Sequence, residues 1–496
     1  MNYDFVVIGA GVSGLSTAII LAQNGYHVAL VEKAKKPAPL IRGFTRHGVY
    51  FDTGFHYTGS LGDGEILDAL FHYLGLSDRL EKVPFEPDGF DLIRCRSTGF
   101  ELRFPYGYER IRERLLEAFP HESRAINEYL QTVKDTFNSF PYLNLNPDLL
   151  DSGAPKGLNG PSLKDFLDRL TTNEALKWVL SIHCLLHGVP PEEAPLAFHA
   201  CIAGSYYESV HGIKGGGRSL TKAYESQLEK LGVDVYCGQG VSEIIFSPDT
   251  SPAGIRLQDG EILNCRGCIS TVHPIEFLNL VPTSAFRPAY RKRLMQLEDT
   301  IPAHILYLAI RAAPEMLTRN NLVVTSDWDL TGLWDKDPLN NRPLYVCSSL
   351  PEDSKGTRPG LIGIVPASRN ETDPWSQSMT GKRPQDYHQF KDKIAFKLRQ
   401  YIERSIPELA GNIEHAECAT ALTLRDFTHT PIGSLYGVKH RIGQYNPLPL
   451  TKAKNLFLAG QAIVAPGIMG AIISAFLVCG FIIGHKQLLN QIQKYR

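Results

Sequence analysis

Three glycines near the start of the chain, followed by one acidic residue, have the spacing that binds the ADP half of a dinucleotide. Gly9, Gly11 and Gly14 follow a short apolar run and precede a helical pattern. Glycines at this spacing permit a tight turn, let the backbone approach a pyrophosphate and let a helix pack close to a strand. Glu32 ends a second apolar run, where a carboxylate can accept hydrogen bonds from ribose hydroxyls. The motif by itself fits NAD and FAD equally well.

The elements around these glycines form a strand–turn–helix–strand unit. The sequence predicts strands at Phe5–Ile8 and Val28–Val31, and a helix over Leu15–Gln23 that ends at Asn24-Gly25. The N-terminus of this helix presents free N–H groups and the positive end of its dipole to bound phosphates. We therefore predict an α/β fold with a Rossmann-like dinucleotide-binding unit at the N-terminus.

The domain organisation follows from where α/β patterns recur along the 496 residues, which are too many for one core. We predict a discontinuous cofactor-binding domain made of residues 1–95, 211–275 and 426–496. A substrate-binding α+β domain, made of residues 96–210 and 276–425, interrupts it twice. The cofactor domain would thus be assembled from both ends of the chain.

The composition excludes some partners and environments. The formal net charge is −1 and the chain has no long basic run, so nucleic acid is not an expected partner. The nine cysteines are scattered and odd in number, which indicates reduced thiols and a cytoplasmic location. No secretory signal is expected, because the first predicted strand begins within a few residues of Met1 and leaves no basic region ahead of it. The apolar stretch Ala462–Gly484 contains Pro466 and several glycines, which favours a buried helix over a membrane span.

Five further segments carry a resemblance to a known family. They are Phe51–Tyr57 (FDTGFHY), Gly212–Gly217 (GIKGGG), Thr420–Thr428 (TALTLRDFT), Leu456–Gln461 (LFLAGQ) and Pro466–Ala475 (PGIMGAIISA). In this order, together with the N-terminal glycines, they resemble the flavoproteins related to phytoene desaturase, carotenoid isomerase and retinol saturase. The resemblance spans nearly the whole chain and is strongest at its two ends. It implies a GR2-type FAD-binding domain and non-covalently bound FAD.

The resemblance also implies which residues hold FAD. The expected cofactor-binding residues are Gly9, Ala10, Gly11, Val12, Ser13, Gly14, Glu32, Lys33, Arg42, Phe55, Val241, Gly460, Gln461, Ile468 and Met469. By this correspondence the glycines face the pyrophosphate, Glu32 faces the adenosine ribose and the backbone of Val241 pairs with adenine. Gly460 and Gln461 lie by the ribityl-phosphate chain. Ile468 and Met469 begin a helix whose dipole stabilises negative charge on the reduced flavin.

The loop after Glu32 departs from the family pattern. Many relatives carry Gly-Gly-Arg shortly after the acidic residue, whereas this chain has the segment 36–44 (KPAPLIRGF) without the double glycine. We still expect Arg42 to reach the phosphates. The nearby basic run Lys33–Lys36 is typical of a solvated loop and also allows peripheral contact with a membrane surface.

The activity implied by the resemblance is alteration of carbon–carbon double bonds in an apolar polyene or another unsaturated lipid-like molecule. Desaturation, saturation and cis–trans isomerisation all remain open. His56 and Tyr57 are the candidate acid–base residues, with packing against the cofactor as the alternative role. Tyr206, Tyr207, His211 and Lys214 are expected near the substrate channel. No second complete glycine fingerprint provides a site for NAD(P)H, so an external electron donor or acceptor is implied.

Other classes of function were compared with this one. Flavin amine oxidases share the same plan, but no aromatic cage for an amine is evident in the sequence. Prenyl-binding escort proteins such as Rab GDP-dissociation inhibitors have a related fold without redox chemistry. His183, His187 and His199 have a spacing that can hold a metal, but no third ligand pattern accompanies the first two, and we predict no metal site. The pair Cys265 and Cys268 lacks the helix N-terminus that would activate a thiol.

Overall fold

The chain folds around two seven-stranded sheets, and the computed structural model describes residues 2–151, 160–330, 334, 336–351 and 358–496. The strands are β1 (Asn2–Ile8), β2 (Val28–Glu32), β3 (Phe44–Arg46), β4 (Val49–Phe51), β5 (Thr58–Gly59), β6 (Lys82–Pro84), β7 (Asp91–Cys95), β8 (Phe100–Phe104), β9 (Val210–Ile213), β10 (Asp234–Cys237), β11 (Val241–Phe246), β12 (Pro252–Leu257), β13 (Ile262–Ser270), β14 (Ala303–Ile310), β15 (Asn321–Thr325), β16 (Leu344–Ser348), β17 (Gly360–Pro366), β18 (Ile413–Ala419) and β19 (Leu456–Leu458).

The helices cover the faces and ends of these sheets. They are α1 (Val12–Gln23), α2 (Ile66–Tyr73), α3 (Tyr108–Ala118), α4 (Ser123–Asn138), α5 (Pro141–Asn144), α6 (Leu163–Leu170), α7 (Glu174–Ser181), α8 (Leu196–Glu208), α9 (Gly216–Lys230), α10 (Pro274–Leu280), α11 (Pro288–Met295), α12 (Gln385–Ser405), α13 (Ala421–Thr428), α14 (Gly467–Ile483) and α15 (His485–Ile492). Short 3-10 turns, including Ile182–Leu186, connect several of them.

The first sheet is the predicted dinucleotide-binding sheet. Its parallel part has the order β10-β2-β1-β13-β19, and an antiparallel ribbon of β11 and β12 continues from β13. Parallel strands covered on both faces are expected to be continuously apolar, and Val6–Ile8 and Val28–Val31 are buried throughout. The mixed α/β fold with a Rossmann-like unit, as predicted from the sequence, is confirmed.

The two ends of the chain meet in this part of the molecule. Helix α1 packs against α14, whose side chains Ile472, Ala475 and Phe476 are fully buried. The apolar stretch near the C-terminus is thus a core helix that covers the parallel sheet. In the part of the chain that the structure describes, no helix combines the length and the apolarity needed to cross a bilayer.

The second sheet forms the floor of the other half. Its order is β18-β14-β17-β16-β15-β7-β8, and every neighbouring pair is antiparallel except β7 with β15. Strand β7 belongs to this sheet, although the predicted cofactor domain extends to residue 95. The reason is that β7 and β8 form a hairpin, with Cys95 opposite Phe100, and the hairpin enters the sheet as a unit. The division into domains otherwise stays a prediction.

Candidate active site

A continuous cavity of about 1830 Å³ is lined by residues from both halves of the molecule. Sites for single small molecules usually measure about 300–1,000 Å³, so this cavity has room for a large cofactor and a second ligand. Its walls include Gly9, Glu32 and Val241 from the first sheet and its turns. They also include Tyr307 and Ile364 from the second sheet.

The glycine turn after β1 is shaped by close backbone contacts. Gly9 has a φ of +97°, and a Cβ built there would lie 2.6 Å from Thr271 Oγ1. A Cβ on Gly14 would lie 1.8 Å from the carbonyl oxygen of Gly9, so only glycine lets α1 approach the turn. A Cβ on Gly11, in contrast, meets no atom within 4 Å and would project into open space. Two of the glycines therefore build the turn, and Gly11 keeps its surface clear.

The start of α1 offers unoccupied hydrogen-bonding groups to the cavity. No side chain caps this helix, and its first turn carries free backbone N–H groups. Ser13 lines the cavity, and its hydroxyl is buried without a hydrogen-bond partner in the described part of the chain. An uncapped helix N-terminus with an unpaired hydroxyl is a site for an anion such as a pyrophosphate. We refer to the turn and helix start, residues 9–14, as the cradle.

Glu32 ties the cradle to the loop that follows β2. Its Oε2 accepts a hydrogen bond from Ala10 N at 2.8 Å, and its Oε1 accepts one from Ala34 N at 2.8 Å. A carboxylate has about four acceptor sites, so two remain for the hydroxyls of a ribose. Glu32 also lines the cavity. The structure thus gives this carboxylate a structural role in addition to the predicted ribose contact.

The C-terminal segment forms the opposite side of the same site. Gly460 has a φ of +113° and its N–H donates to Ser474 Oγ at 2.8 Å, which anchors the turn after β19 to α14. Gly467 begins α14 with a φ of +83°, and a Cβ there would meet nothing within 4 Å. No side chain caps this helix either. Its positive dipole end and N–H groups therefore face the cavity, where Ile468 and Met469 line the wall.

These features fit FAD. The cradle has an unpaired hydroxyl and an uncapped helix start for the pyrophosphate, and Glu32 has free acceptor sites for a ribose. The predicted cofactor residues that line the cavity are Gly9, Gly11, Val12, Ser13, Glu32, Lys33, Phe55, Val241, Gly460, Gln461, Ile468 and Met469. Ala10 and Gly14 lie behind the surface and shape the turn. Their individual contacts with FAD stay predictions.

Arg42 is placed differently from its predicted role. Its guanidinium donates to the carbonyl oxygen of Pro37 through Nε at 3.0 Å and Nη2 at 2.9 Å, and Nη2 is 2.5 Å from Glu225 Oε1. It does not line the cavity. The loop lacks the double glycine of the relatives, and here the arginine closes the loop on itself and onto α9. The structure therefore does not place Arg42 at the cavity, and its contact with the phosphates stays a prediction.

The loop that carries His56 and Tyr57 is fixed by a buried carboxylate. Asp52 Oδ1 accepts hydrogen bonds from Tyr50 Oη at 2.6 Å and from Gly217 N at 2.8 Å, at the start of α9. A Cβ on Gly217 would lie 1.7 Å from the carbonyl oxygen of Ile41, which explains the glycine-rich GIKGGG segment. Burial raises the pKa of Asp52 to about 7. This contact holds the loop against the second glycine-rich turn.

His56 and Tyr57 both line the cavity, and their acid–base role stays a prediction. Burial lowers the pKa of His56 to about 4, so the ring is neutral at pH 7, and its Nδ1 has no hydrogen-bond partner within the described residues. Burial and the nearby Asp91 carboxyl raise the pKa of Tyr57 well above its usual range, so the phenol keeps its proton. Both groups are neutral at physiological pH.

An aromatic wall continues from Tyr57 into the second half of the cavity. The Tyr57 ring lies 5.4 Å from Tyr206, 5.5 Å from Phe85 and 6.3 Å from Tyr345, between ring centroids. Tyr206 and Tyr345 also line the cavity. Apolar side chains complete this wall, among them Leu186, Phe198, Ile202, Ile305, Ile364 and Val464. The wall is suited to a long, planar, apolar molecule.

The remaining residues expected near the channel lie outside the wall. Their hydrogen bonds are Tyr207 Oη with Tyr129 Oη (3.1 Å), His211 Nδ1 with Ser209 Oγ (3.3 Å) and Lys214 Nζ with Glu81 Oε2 (2.9 Å). Of the four predicted residues, Tyr206 alone lines the cavity. Tyr206 and Tyr207 differ in this respect because adjacent residues on a helix, here α8, point in different directions.

A buried cluster joins Cys184 to two of the histidines noted in the sequence. Cys184 Sγ lies 3.7 Å from His199 Nδ1, and His187 Nε2 lies 3.3 Å from the same nitrogen. Thiolate and imidazole donors at such distances can hold a metal ion. His183 is not part of the cluster and instead stacks against the rings of Phe90 and Tyr206.

Hydrogen bonds alone account for this cluster. Val189 N–H donates to His187 Nδ1 at 3.2 Å, which places the proton of the neutral ring on Nε2, facing His199 Nδ1. His199 Nε2 then donates to Tyr129 Oη at 3.1 Å. Both nitrogens of both rings are thus engaged, and burial lowers the pKa of both histidines. A metal on His187 Nε2 would need a proton on Nδ1, which would face the Val189 N–H.

The cysteine pair of the sequence, Cys265 and Cys268, lies inside β13 with both thiols free. Burial raises the pKa of both, that of Cys265 to about 12, so neither is a thiolate at neutral pH. All nine cysteines of the chain are free.

Two residues that shape the site escaped the sequence analysis. Thr271 Oγ1 donates to the carbonyl oxygens of Ile8 (3.0 Å) and Gly9 (3.1 Å), which fixes the glycine turn. His440 Nε2 donates to the carbonyl oxygen of Gln461 at 2.8 Å. The signal available for the first was the strand-like segment Cys268–Val272, in which Thr271 lies. No pattern in the sequence indicates the second.

Comparison with known proteins agrees with this geometry. The family described as flavin containing amine oxidoreductase matches residues 12–483. Human all-trans-retinol 13,14-reductase is 24% identical over 532 residues, which cover 99% of this chain and 87% of that protein. A 4,4'-diapophytoene desaturase (4,4'-diaponeurosporene-forming) from Staphylococcus haemolyticus is 24% identical, with 92% of this chain and 93% of that protein covered.

Solved structures show the same fold. Putrescine oxidase, in a structure with bound putrescine, superposes with a TM-score of 0.64 at 15% sequence identity. The superposition covers 97% of this chain and 99% of that chain. At this identity the likeness concerns the fold, and it includes both sheets.

Proposed function

Because this chain belongs to the flavin-containing amine oxidoreductase family and is an FAD-dependent oxidoreductase, we propose that it exchanges hydride with a carbon–carbon double bond of an apolar polyene. The direction that we propose is saturation. It is supported by the retinol reductases among its relatives, which cover 98–99% of the chain, compared with 92% for the desaturase. Desaturation and isomerisation would take place in the same cavity, and the experiment described below distinguishes them from saturation.

The observation that carries this proposal is the continuity of the cradle with the aromatic wall. One cavity joins the backbone surface that fits FAD to a wall of Tyr, Phe, Ile and Leu side chains. A polyene needs a long apolar slot and few polar contacts, because its burial is driven by the removal of apolar area from water. The wall that begins at Tyr57 offers such a slot.

FAD supplies a two-electron carrier whose N5 position exchanges hydride with carbon. Saturation adds one hydride and one proton across the double bond, and an external donor must then restore the two electrons. General acids work best with a pKa near the working pH. His56, with a pKa of about 4, and Tyr57, with a raised pKa, are both far from pH 7. We therefore propose that His56 and Tyr57 position the substrate. The proton that is added to the double bond comes from solvent.

The charge of the cavity supports a neutral substrate over an amine. Among the described lining residues, the acidic side chains are Glu32, Glu276 and Glu417. Glu32 belongs to the cradle, Glu276 lies in α10 on the first-sheet side, and Glu417 is 3.1 Å from Arg46. No carboxylate among these lies in the aromatic wall, where a cationic substrate would need one.

We also propose peripheral contact with a lipid surface. Leu40 and Phe427 line the cavity and are 37% and 67% exposed, so they lie at its opening. The basic side chains Lys33 and Lys391 line the same cavity. Exposed apolar residues at the opening of a cavity that also carries basic side chains suit an anionic membrane surface, from which a polyene would enter. Flotation with anionic vesicles tests this contact, and Phe427→Ser should weaken it.

The experiment that tests the proposed function is an anaerobic incubation of the chemically reduced holoenzyme with all-trans-retinol, followed by mass spectrometry. The expected product is heavier by two hydrogens. A second incubation, of the oxidised holoenzyme with a carotenoid, tests desaturation, for which the product would be lighter than the substrate by two hydrogens. An unchanged mass with altered chromatographic retention would indicate isomerisation. Product formation no greater than with free reduced FAD in all arms would contradict the proposal.

A further inference from the structure

Three of the tyrosines that line the cavity lie together in the aromatic wall. Tyr57 comes from the loop after β4, Tyr206 from α8 and Tyr345 from β16, and all three line the cavity. We call them the tyrosine cluster. Three separate parts of the chain thus bring phenol groups to one place in a cavity that is otherwise suited to hydrocarbon.

The three phenol groups lie close together. The ring of Tyr57 is 5.4 Å from that of Tyr206, nearly perpendicular to it, and 6.3 Å from that of Tyr345, nearly parallel to it. The buried hydroxyl of Tyr345 approaches that of Tyr57 without forming a well-aligned hydrogen bond. On its other face, Tyr206 stacks against the buried ring of His183 at 5.9 Å, which holds it in place.

A buried carboxyl group stands behind the cluster. Asp91, in β7, is 2% exposed, and its Oδ1 accepts a hydrogen bond from Asn321 Nδ2 at 2.8 Å. Burial raises the pKa of Asp91 to about 7. Burial, and to a smaller extent the Asp91 carboxyl, also raises the pKa of all three tyrosines. No cation is among the groups that shift its pKa. The tyrosines therefore keep their protons and remain hydrogen-bond donors.

The buried, unpaired hydroxyl of Tyr345 is costly in an apolar cavity unless a ligand completes its hydrogen bonding. A buried polar group without a good partner costs about 1–3 kcal/mol, whereas phenylalanine would fill the same space without this cost. A neutral oxygen atom would accept hydrogen bonds from the phenols. An ammonium group would need a carboxylate at the surface, but Asp91 lies behind the tyrosines and does not line the cavity.

We propose that the tyrosine cluster binds the one oxygen-bearing end of the substrate, an alcohol or carbonyl oxygen, while the hydrocarbon part lies along the apolar wall. This inference rests on the proposed function for the identity of the hydrocarbon part. It adds that the substrate is a polyene with a polar end rather than a pure hydrocarbon. It also assigns Tyr206 and Tyr345 as the residues that select for that end.

Binding of three matched all-trans polyenes to the oxidised holoenzyme tests this selection. They share one hydrocarbon chain and end in a hydroxyl, a hydrogen or an ammonium group, and quenching of protein fluorescence reports their dissociation constants. The hydrocarbon is less soluble, so the diagnostic quantity is the change in the alcohol-to-hydrocarbon affinity ratio. Tyr206→Phe and Tyr345→Phe should each lower this ratio about threefold to tenfold, and Tyr445→Phe, an exposed tyrosine outside the cavity, should not.

An unchanged ratio in both variants would overturn the inference, and so would tightest binding of the amine. Flavin content and circular dichroism establish that each variant is folded. If the enzyme turns over the alcohol, the two variants should raise KM for the alcohol and leave kcat nearly unchanged. Failure of the proposed function would appear differently, as absence of turnover of every polyene, while the binding ratios would still report on the cluster.

Discussion

The cradle and the aromatic wall are two halves of one cavity, and they are built from different materials. The cradle is largely backbone, because glycines and helix starts leave N–H groups and open space at its surface. The wall consists of side chains contributed by a loop, a helix and a strand. Backbone surfaces demand particular residues at particular spacings, whereas a side-chain wall can be assembled from any part of the chain. The cofactor site can therefore be predicted from the sequence, whereas the substrate site cannot.

The largest expected effects come from two glycines in the cradle. Gly14→Ala would place a methyl group 1.8 Å from the Gly9 carbonyl oxygen, so we expect little soluble protein. Gly11→Ala meets no protein atom, so the chain should fold, but the methyl group obstructs the pyrophosphate. We expect FAD affinity to fall at least about a hundredfold, or about 2.7 kcal/mol. Titration of FAD into deflavinated protein measures this, and normal affinity in Gly11→Ala would break the assignment.

A change in the wall should separate substrate from cofactor. Ile202→Trp on α8 adds bulk to the apolar slot, which should lower kcat/KM for a polyene by up to about a hundredfold through steric exclusion. Flavin content should stay unchanged. Ile442→Trp, at an exposed position outside the cavity, is the matched control. Loss of flavin in Ile202→Trp would show that the aromatic wall also contributes to FAD binding.

Glu32 tests the border of the cradle. Glu32→Gln keeps one acceptor and removes the charge that serves Ala10 N and Ala34 N. Charge-assisted hydrogen bonds contribute about 1.5–3 kcal/mol each, so FAD affinity should fall about thirtyfold. Equilibrium dialysis of FAD gives the value. Retention of full affinity would mean that neither the ribose contact nor the anchoring of the turn depends on the charge.

The smallest expected effect concerns Asp91, behind the aromatic wall, and the pH dependence of the free energy of unfolding. The pKa of Asp91 is about 7 in the folded chain and near 3.9 when unfolded, so the folded state binds the extra proton and loses stability as pH rises. Between pH 6 and 7 this group should lower the free energy of unfolding by about 1 kcal/mol. Asp91→Asn should remove that part of the slope in urea unfolding. If the free energy of unfolding changed with pH equally in both proteins, the pKa of Asp91 would not be raised in the folded state.

The sequence predicted the cradle more completely than the wall. The strands predicted at Phe5–Ile8 and Val28–Val31 from apolar runs are present, and they pair in parallel. Helix α1 begins at Val12, three residues before the predicted start, because the turn glycine already serves as its N-cap. The strand order of the second sheet was beyond prediction, since β7 pairs with β15 more than two hundred residues later. Apolar alternation indicates a strand but not its partner.

The loop after Glu32 shows a further limit. Its arginine was expected at the phosphates from the family pattern, but the local chain folds so that Pro37 and Glu225 hold the guanidinium. Similarly, Tyr345 and Asp91 gave no signal in the sequence, because their role depends on strands of the second sheet coming together beside the loop of Tyr57. Contacts between distant segments are decided by tertiary packing rather than by local pattern.

The central claim is that hydride passes between the flavin held by the cradle and a polyene held by the wall. Its most direct test is the flavin absorbance of the anaerobic, chemically reduced holoenzyme after addition of all-trans-retinol. The account predicts that the oxidised flavin spectrum returns in proportion to the polyene consumed, with a product heavier by two hydrogens. A flavin that remains reduced with all-trans-retinol, and an oxidised flavin that stays oxidised with a more saturated polyene, would contradict the claim.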